Sequence, residues 1–180
     1  MKKLMKQKQI SVIILGAVGL ILLILGSNIL GLPGKNIFNL TSVCFMIAGG
    51  VILSFLDKRA LMKISAISFT LFYSIHFLSY ITNNHTHSLA FLLLVLAQLI
   101  FILILFLAIS KNTTIGKIIS SISLLSIAAF VGFSLFEKSM AMGAAIVALI
   151  GVLAYVLLGK EENKAFAFLL AYVYLVVILK

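Results

Sequence analysis

Residues 88–109 read SLAFLLLVLAQLIFILILFLAI, an apolar run with no charge and one amide, Gln98, near its middle. Crossing about 30 Å of hydrocarbon takes about 20 helical residues, and this run is that long. A helix that is apolar on every side has no water-facing stripe, so it belongs either to the centre of a large soluble core or to a membrane. Composition decides between the two. Of 180 residues, 63% are hydrophobic and 10% charged, against about 45–50% and about 25% in soluble domains. A soluble domain of this length lacks the polar cover for so much apolar surface. The chain therefore reads as an integral membrane protein. It has no Trp, so any aromatic belt at the interfaces must be built from Tyr and Phe.

Working outward from this run, six further stretches qualify or nearly qualify as spans: 10–31, 36–56, 61–82, 116–136, 140–158 and 164–179. The breaks are GLPGKN, DKRAL, NNHTH, SKNTTIGK, EKS and GKEENK, short and rich in turn-forming or charged residues. The last stretch is short, so it is expected to begin inside the GKEENK loop or to sit tilted. The predicted fold is all-α: one integral membrane domain over 1–180, a polytopic bundle of seven transmembrane helices.

Net charge is +10, a value that can signal nucleic acid, but its placement speaks for topology. A nucleic-acid surface needs a contiguous basic face, whereas here the cations cluster between apolar runs, so no nucleic-acid partner is expected. With the N-terminus inside, the cytoplasmic parts hold Lys2, Lys3, Lys6, Lys8, Lys58, Arg59, Lys63, Lys111, Lys117, Lys160 and Lys164. The outside keeps Lys35, Lys138 and Lys180, and no basic residue is left within a span. Cytoplasmic enrichment of Lys and Arg sets orientation, so the N-terminus is predicted to be cytoplasmic and the C-terminus outside. MKKLMKQKQ before an apolar run is also the layout of a secretory signal. LGSNILGL offers no A-x-A cleavage site, and the first helix is expected to be retained. Usage rich in Ile and Lys fits a bacterial inner (cytoplasmic) membrane.

All three histidines lie within LFYSIHFLSYITNNHTHS, residues 71–88. His85 and His87 fall in the external loop expected between the third and fourth spans. Two imidazoles in a loop need further ligands to hold a metal, and the reading here is a solvated polar loop with no metal. His76 is different. It lies about six residues, roughly 9 Å, inside the outer end of the third span. Helical spacing sets Tyr73, His76 and Tyr80 on one face, with Ser65 and Phe69 continuing the line. An ionisable group within a span normally faces the bundle interior or a wet cavity and needs a partner. Tyr73, His76 and Tyr80 are the candidate ligand-binding residues. A neutral histidine held by hydrogen bonds in the bundle is the plainer reading of the same spacing.

The other polar groups are modest. Asn28 and Asn39 lie near the outer ends of the first two helices and could join the same outward-leaning cavity. Gln98 must find a partner, because an unsatisfied amide in lipid is costly. Ser120, Ser123 and Ser126, the stripe of Ala144, Ala148 and Gly151, and the pair Gly49–Gly50 favour close helix packing. No Asp, Glu, Lys or Arg lies at membrane depth, where ion-coupled transporters and proton pumps usually place them. Cys44 excludes an internal disulfide and a cysteine zinc site. Cys44 with His76 is the one Cys–His combination, and nothing in the sequence joins them. No catalytic residue, metal or cofactor is expected.

From the second helix on, the order of features resembles the lysoplasmalogenase (YhhN) family of polytopic membrane proteins. The resemblance rests on IAGGVILSFLD at 47–57 before a basic loop and on FTLFYSIHFLSY at 69–80, with its histidine closely followed by a tyrosine. It continues in GAAIVALIGVLAYVLLGKEENK at 143–164, before the terminal AFLLAYVYLVVILK. It implies a lipid-handling bundle, and it carries His76 over as a functional position. The acidic residues to which that family's vinyl-ether hydrolysis is ascribed are replaced by Gly50 and Gly151, and seven helices stand where the family usually has eight. Hydrolysis is therefore not carried over. Three readings are open: a lysoplasmalogenase-like bundle binding a lipid or other amphiphile, a small transporter or its membrane subunit, and an accessory or immunity-type protein acting through helix contacts with a membrane protein partner.

Overall fold

The computed structural model describes residues 2–27, 35–82, 87–109, 114–136, 140–158 and 161–179. These residues form seven α-helices: α1 (Lys2–Leu25), α2 (Lys35–Leu56), α3 (Ala60–Thr82), α4 (His87–Ile109), α5 (Thr114–Phe136), α6 (Ala141–Leu158) and α7 (Glu161–Leu179). Five carry segments long and apolar enough to cross a membrane: Asn36–Phe55, Ala60–Ser79, Ala90–Leu107, Thr114–Leu135 and Ala141–Leu158. The apolar parts of α1 and α7, Gln9–Leu25 and Asn163–Leu179, are shorter.

Helix bounds depart from the sequence reading at α1 and around the histidines. The first helix, expected over 10–31, starts at Lys2 and ends at Leu25. Lys, Leu, Met and Gln are good helix formers, so the basic segment continues the helix, and Gly26 follows its end. The histidine loop is shorter than expected because His87 already belongs to the backbone of α4. The last helix does begin inside the GKEENK loop, at Glu161.

Contacts divide the chain into two compact units, Met1–Ala97 and Gln98–Lys180. In the first, α1 and α2 run antiparallel. A Cβ on Gly19 would strike the Met46 side chain, and one on Gly26 the Asn39 side chain, so glycine is what lets the two backbones approach. Between α2 and α3, a Cβ on Gly50 would meet the Thr70 hydroxyl and, at 3.3 Å, Phe69 Cδ1. Asp57 ties the α2–α3 turn: its Oδ1 accepts from the Arg59 backbone N–H and from Arg59 Nε, both at 2.9 Å, and its Oδ2 accepts from Nη2 at 2.6 Å. Val12, Met46, Leu53, Met62, Ala66 and Phe69 form the core. The Ser65 hydroxyl donates to the Ala97 carbonyl at 2.8 Å.

In the second unit α5 packs on α6 through small residues. A Cβ on Gly151 would collide with the Ser126 hydroxyl and lie 3.5 Å from the Ser123 Cα. The one hydroxyl proton of Ser123 is shared between the carbonyls of Gly151 at 2.8 Å and Ile119 at 2.9 Å. Helix α7 is buried nearly all round, from Ala165 to Tyr174. Phe101 packs tilted on Phe166 at 5.1 Å and edge-on to Tyr155 at 6.3 Å, and Phe130 lies edge-on to Tyr174 at 4.9 Å.

Polarity runs opposite to that of a soluble bundle. Leu92, Leu96, Leu99 and Leu103 on α4, Ile115, Ile118, Ile122 and Leu125 on α5, and Ile146, Ile150, Leu153 and Leu157 on α6 are exposed. Ser42, Ser65, Gln98, Ser120, Ser123 and Asn163 are buried. Exposed apolar faces of this extent need a cover other than water.

Candidate functional site

The α3 line foreseen in the sequence is present in its lower part. Ser65, Phe69 and Tyr73 are buried along one face of α3. Tyr73 is 3% exposed and sits against two rings, Phe69 at 4.8 Å and tilted, Phe72 at 4.6 Å and edge-on. Tilted and edge-on pairs let the positive edge of one ring meet the negative face of the other. His76 is half-buried one turn on, its ring parallel to that of Phe72 at 6.1 Å. The (i, i+4) spacing of Phe72 and His76 is what brings those two side chains together on a helix. The backbone of Tyr80 continues the helix, but its side chain lies outside the described residues.

The remaining candidates scatter. Residues 83–86, with His85, and the side chain of His87 lie outside the described residues, as does Asn28. Cys44 is exposed. The contact of Gly50 with Phe69 and Thr70 puts Cys44 and His76 at similar depth in the antiparallel α2–α3 pair. Among the described residues no three His, Cys, Asp or Glu side chains are grouped to hold a metal. Gly50 and Gly151 are both seated directly against a neighbouring helix, so this packing leaves no room for a carboxylate at either position.

Asn39 occupies a place the sequence did not specify. Its Nδ2 donates to the Gly26 carbonyl at 3.1 Å, so a side chain of α2 satisfies an acceptor left free where α1 ends. Its Oδ1 is buried and has no hydrogen-bond partner.

The most developed polar network is in the second unit, and sequence reading foresaw one member of it. Gln98 accepts from the Tyr174 hydroxyl at 3.0 Å, which supplies the partner its depth demanded. Asn163 Nδ2 donates to the Tyr155 hydroxyl at 3.0 Å. Tyr155, Tyr174, Gln98 and Asn163 are all buried. The missed signal was spacing. Asn163, Phe166, Leu170 and Tyr174 repeat as one helical face once α7 is started in the GKEENK stretch. Such paired networks fix helix register.

Fold and side-chain placement together define an all-α helical protein with exposed apolar faces, buried hydroxyls and five helices long and apolar enough to cross a membrane. No family model, no curated protein and no solved structure matches the chain.

Proposed function

We propose that the chain is a multi-pass protein of a bacterial inner membrane, with its N-terminus cytoplasmic and its C-terminus outside. In this reading it is a lysoplasmalogenase-like bundle that holds a lipid or other amphiphile against the outer half of α3, without catalysis. The observation that carries the reading is His76, the one imidazole on the described part of that helix. It is half-buried against Phe72, one turn beyond the buried Tyr73. Aromatic faces suit an acyl chain or sugar, and an imidazole supplies both a donor and an acceptor. Tyr80, one further turn along, completes the proposed contact set. The absence of catalysis is argued from Gly50 and Gly151, whose packed positions are those of the resembled family's acids.

The transporter reading has no Asp, Glu, Lys or Arg in α4–α6 at span depth to support it. Gly19, Gly26, Gly50 and Gly151 face neighbouring helices of their own units, so these glycines give no support to the helix-contact reading.

The test is native mass spectrometry of gently solubilised wild type and His76→Ala, with identification of co-purifying lipids. A specific amphiphile held by wild type and reduced several-fold in the variant is the expected result. Equal retention by both removes the α3 site.

A further inference from the structure

We propose that the α2–α3 turn binds an anionic phospholipid, with Lys58 and Lys63 on the lipid phosphate and an acyl chain along Ile67 and Leu71 of α3. The starting point is a charge imbalance. The first unit, Met1–Ala97, carries Lys2, Lys3, Lys6, Lys8, Lys35, Lys58, Arg59 and Lys63, and Asp57 is its one acidic residue. That carboxylate is already taken, because Arg59 donates to it from its backbone N–H, from Nε and from Nη2. Lys58 and Lys63 are exposed, and no second acid exists in the unit to pair with them. Arg59 thus cancels Asp57 and leaves the two lysines unopposed.

More positive charge gathers at the same end of the unit. The approach of Gly19 to Met46 and of Gly26 to Asn39 sets Gln9 level with Leu56 in the antiparallel α1–α2 pair. Residues 2–8 of α1, which include four lysines, therefore run past the end of α2 on the side where the turn lies. Cations grouped without acids raise the local potential and draw in anions. A lysine ammonium takes a phosphate as a point charge, with three donors and no demand for a fixed fork geometry.

What selects a lipid among anions is the surface that continues from Lys63. Lys63, Ile67 and Leu71 recur at every fourth residue and so follow one another along one face of α3. All three are exposed, as is Ile64 beside them. Leu71 lies roughly 12 Å along the helix from Lys63, a length that part of an acyl chain covers. A lysine at such a boundary lays its methylene stem on the apolar surface and keeps its ammonium at the interface. A nucleic acid or an acidic protein segment meets the ammonium groups but leaves that stripe bare, whereas an anionic head on a hydrocarbon tail meets both. In the proposed topology the turn faces the cytoplasmic leaflet, where anionic lipids attract juxtamembrane cations. The inference goes beyond the α3 site: it rests on the placement in a bilayer but not on His76, roughly 20 Å along the helix from Lys63.

The experiment is native mass spectrometry after reconstitution with equimolar phosphatidylglycerol and phosphatidylcholine of identical chains. Wild type is compared with Lys58→Gln/Lys63→Gln, with the charge-matched control Lys111→Gln/Lys117→Gln and with His76→Ala, thermal unfolding confirming that each is folded. Wild type is expected to retain the anionic lipid about thirtyfold over the zwitterionic one, roughly fivefold for each lysine near an anionic surface. Lys58→Gln/Lys63→Gln should bring the two lipids close to parity, while the control and His76→Ala keep the preference. Parity in wild type overturns the inference and leaves the His76 comparison intact. Equal losses in the two double variants also overturn it, since they mean a diffuse attraction without a site. A preference lost in His76→Ala but kept in Lys58→Gln/Lys63→Gln moves the lipid to the α3 site. Displacement of the lipid by inorganic phosphate at constant ionic strength would mean a site for a free anion and would overturn the lipid assignment.

Discussion

Glycine at 50 and 151 is a matter of space between helices. Gly151 meets Ser126 and the Ser123 backbone, and the Ser123 hydroxyl bonds to its carbonyl. Gly151→Ala should therefore destabilise the protein by about 1–3 kcal/mol through overpacking, read as a lower midpoint of thermal unfolding in detergent. Gly132→Ala, where an added methyl meets nothing within 4 Å, should be nearly neutral in the same assay. The buried amide of Gln98 makes a second case. Tyr174→Phe removes its donor and should cost about 1 kcal/mol. Adding Gln98→Leu should recover part of that loss, because the pair is then replaced by apolar groups. A double-mutant cycle measures the coupling. The need of Gln98 for a partner was legible from its place in an apolar run. The identity of the partner was not, because Tyr174 lies far along the chain and hydropathy carries no information about which helices meet.

At the scale of elements, apolar length and charged breaks located the helices, since in a chain of this composition both are strong signals. Helix ends were legible only where a charge or glycine sits at the boundary. The start of α1 was missed because hydropathy stops at the edge of the apolar run while helix propensity does not. The α2–α3 turn shows what fixes an end physically. Asp57 is buried with 8% of its side chain accessible, and its carboxylate takes the Arg59 backbone N–H and guanidinium together. Asp57→Ala should open this turn and cost about 1–2 kcal/mol, the partial exposure of Arg59 limiting the loss. Asp57→Asn keeps an acceptor for the backbone N–H and should lose less, a ranking that chemical denaturation of the two variants would check. Helix α6 is closed differently: Lys164 Nζ donates to the Leu157 carbonyl at 3.3 Å, a cation at a helix C-terminus where it is favoured.

For the whole molecule the informative relation is between the exposed apolar faces and the cations. Most basic residues of the described helices sit at one set of helix ends: the start of α1 with Lys2, Lys3, Lys6 and Lys8, the α2–α3 turn with Lys58 and Arg59, and the first turns of α3, α5 and α7 with Lys63, Lys117 and Lys164, while Lys35 opens α2 at the other. In the proposed topology these ends belong to the cytoplasmic side, as the positive-inside bias expects. In a Cys44→Ser background, Lys58→Cys and Lys117→Cys should resist a membrane-impermeant maleimide in intact cells. Asn84→Cys and Lys138→Cys should react with it. The reversed pattern would invert the topology, and labelling of all four would mean that the helices do not cross. The bias also predicts how the orientation can be disturbed. The first helix usually dominates topology, and four of its first eight residues are lysines. Replacing Lys2, Lys3, Lys6 and Lys8 together by Gln should therefore yield a mixed labelling pattern. The same change at Lys58, Lys117, Lys160 and Lys164 should perturb it less, because the N-terminal cluster then still holds the first span in place.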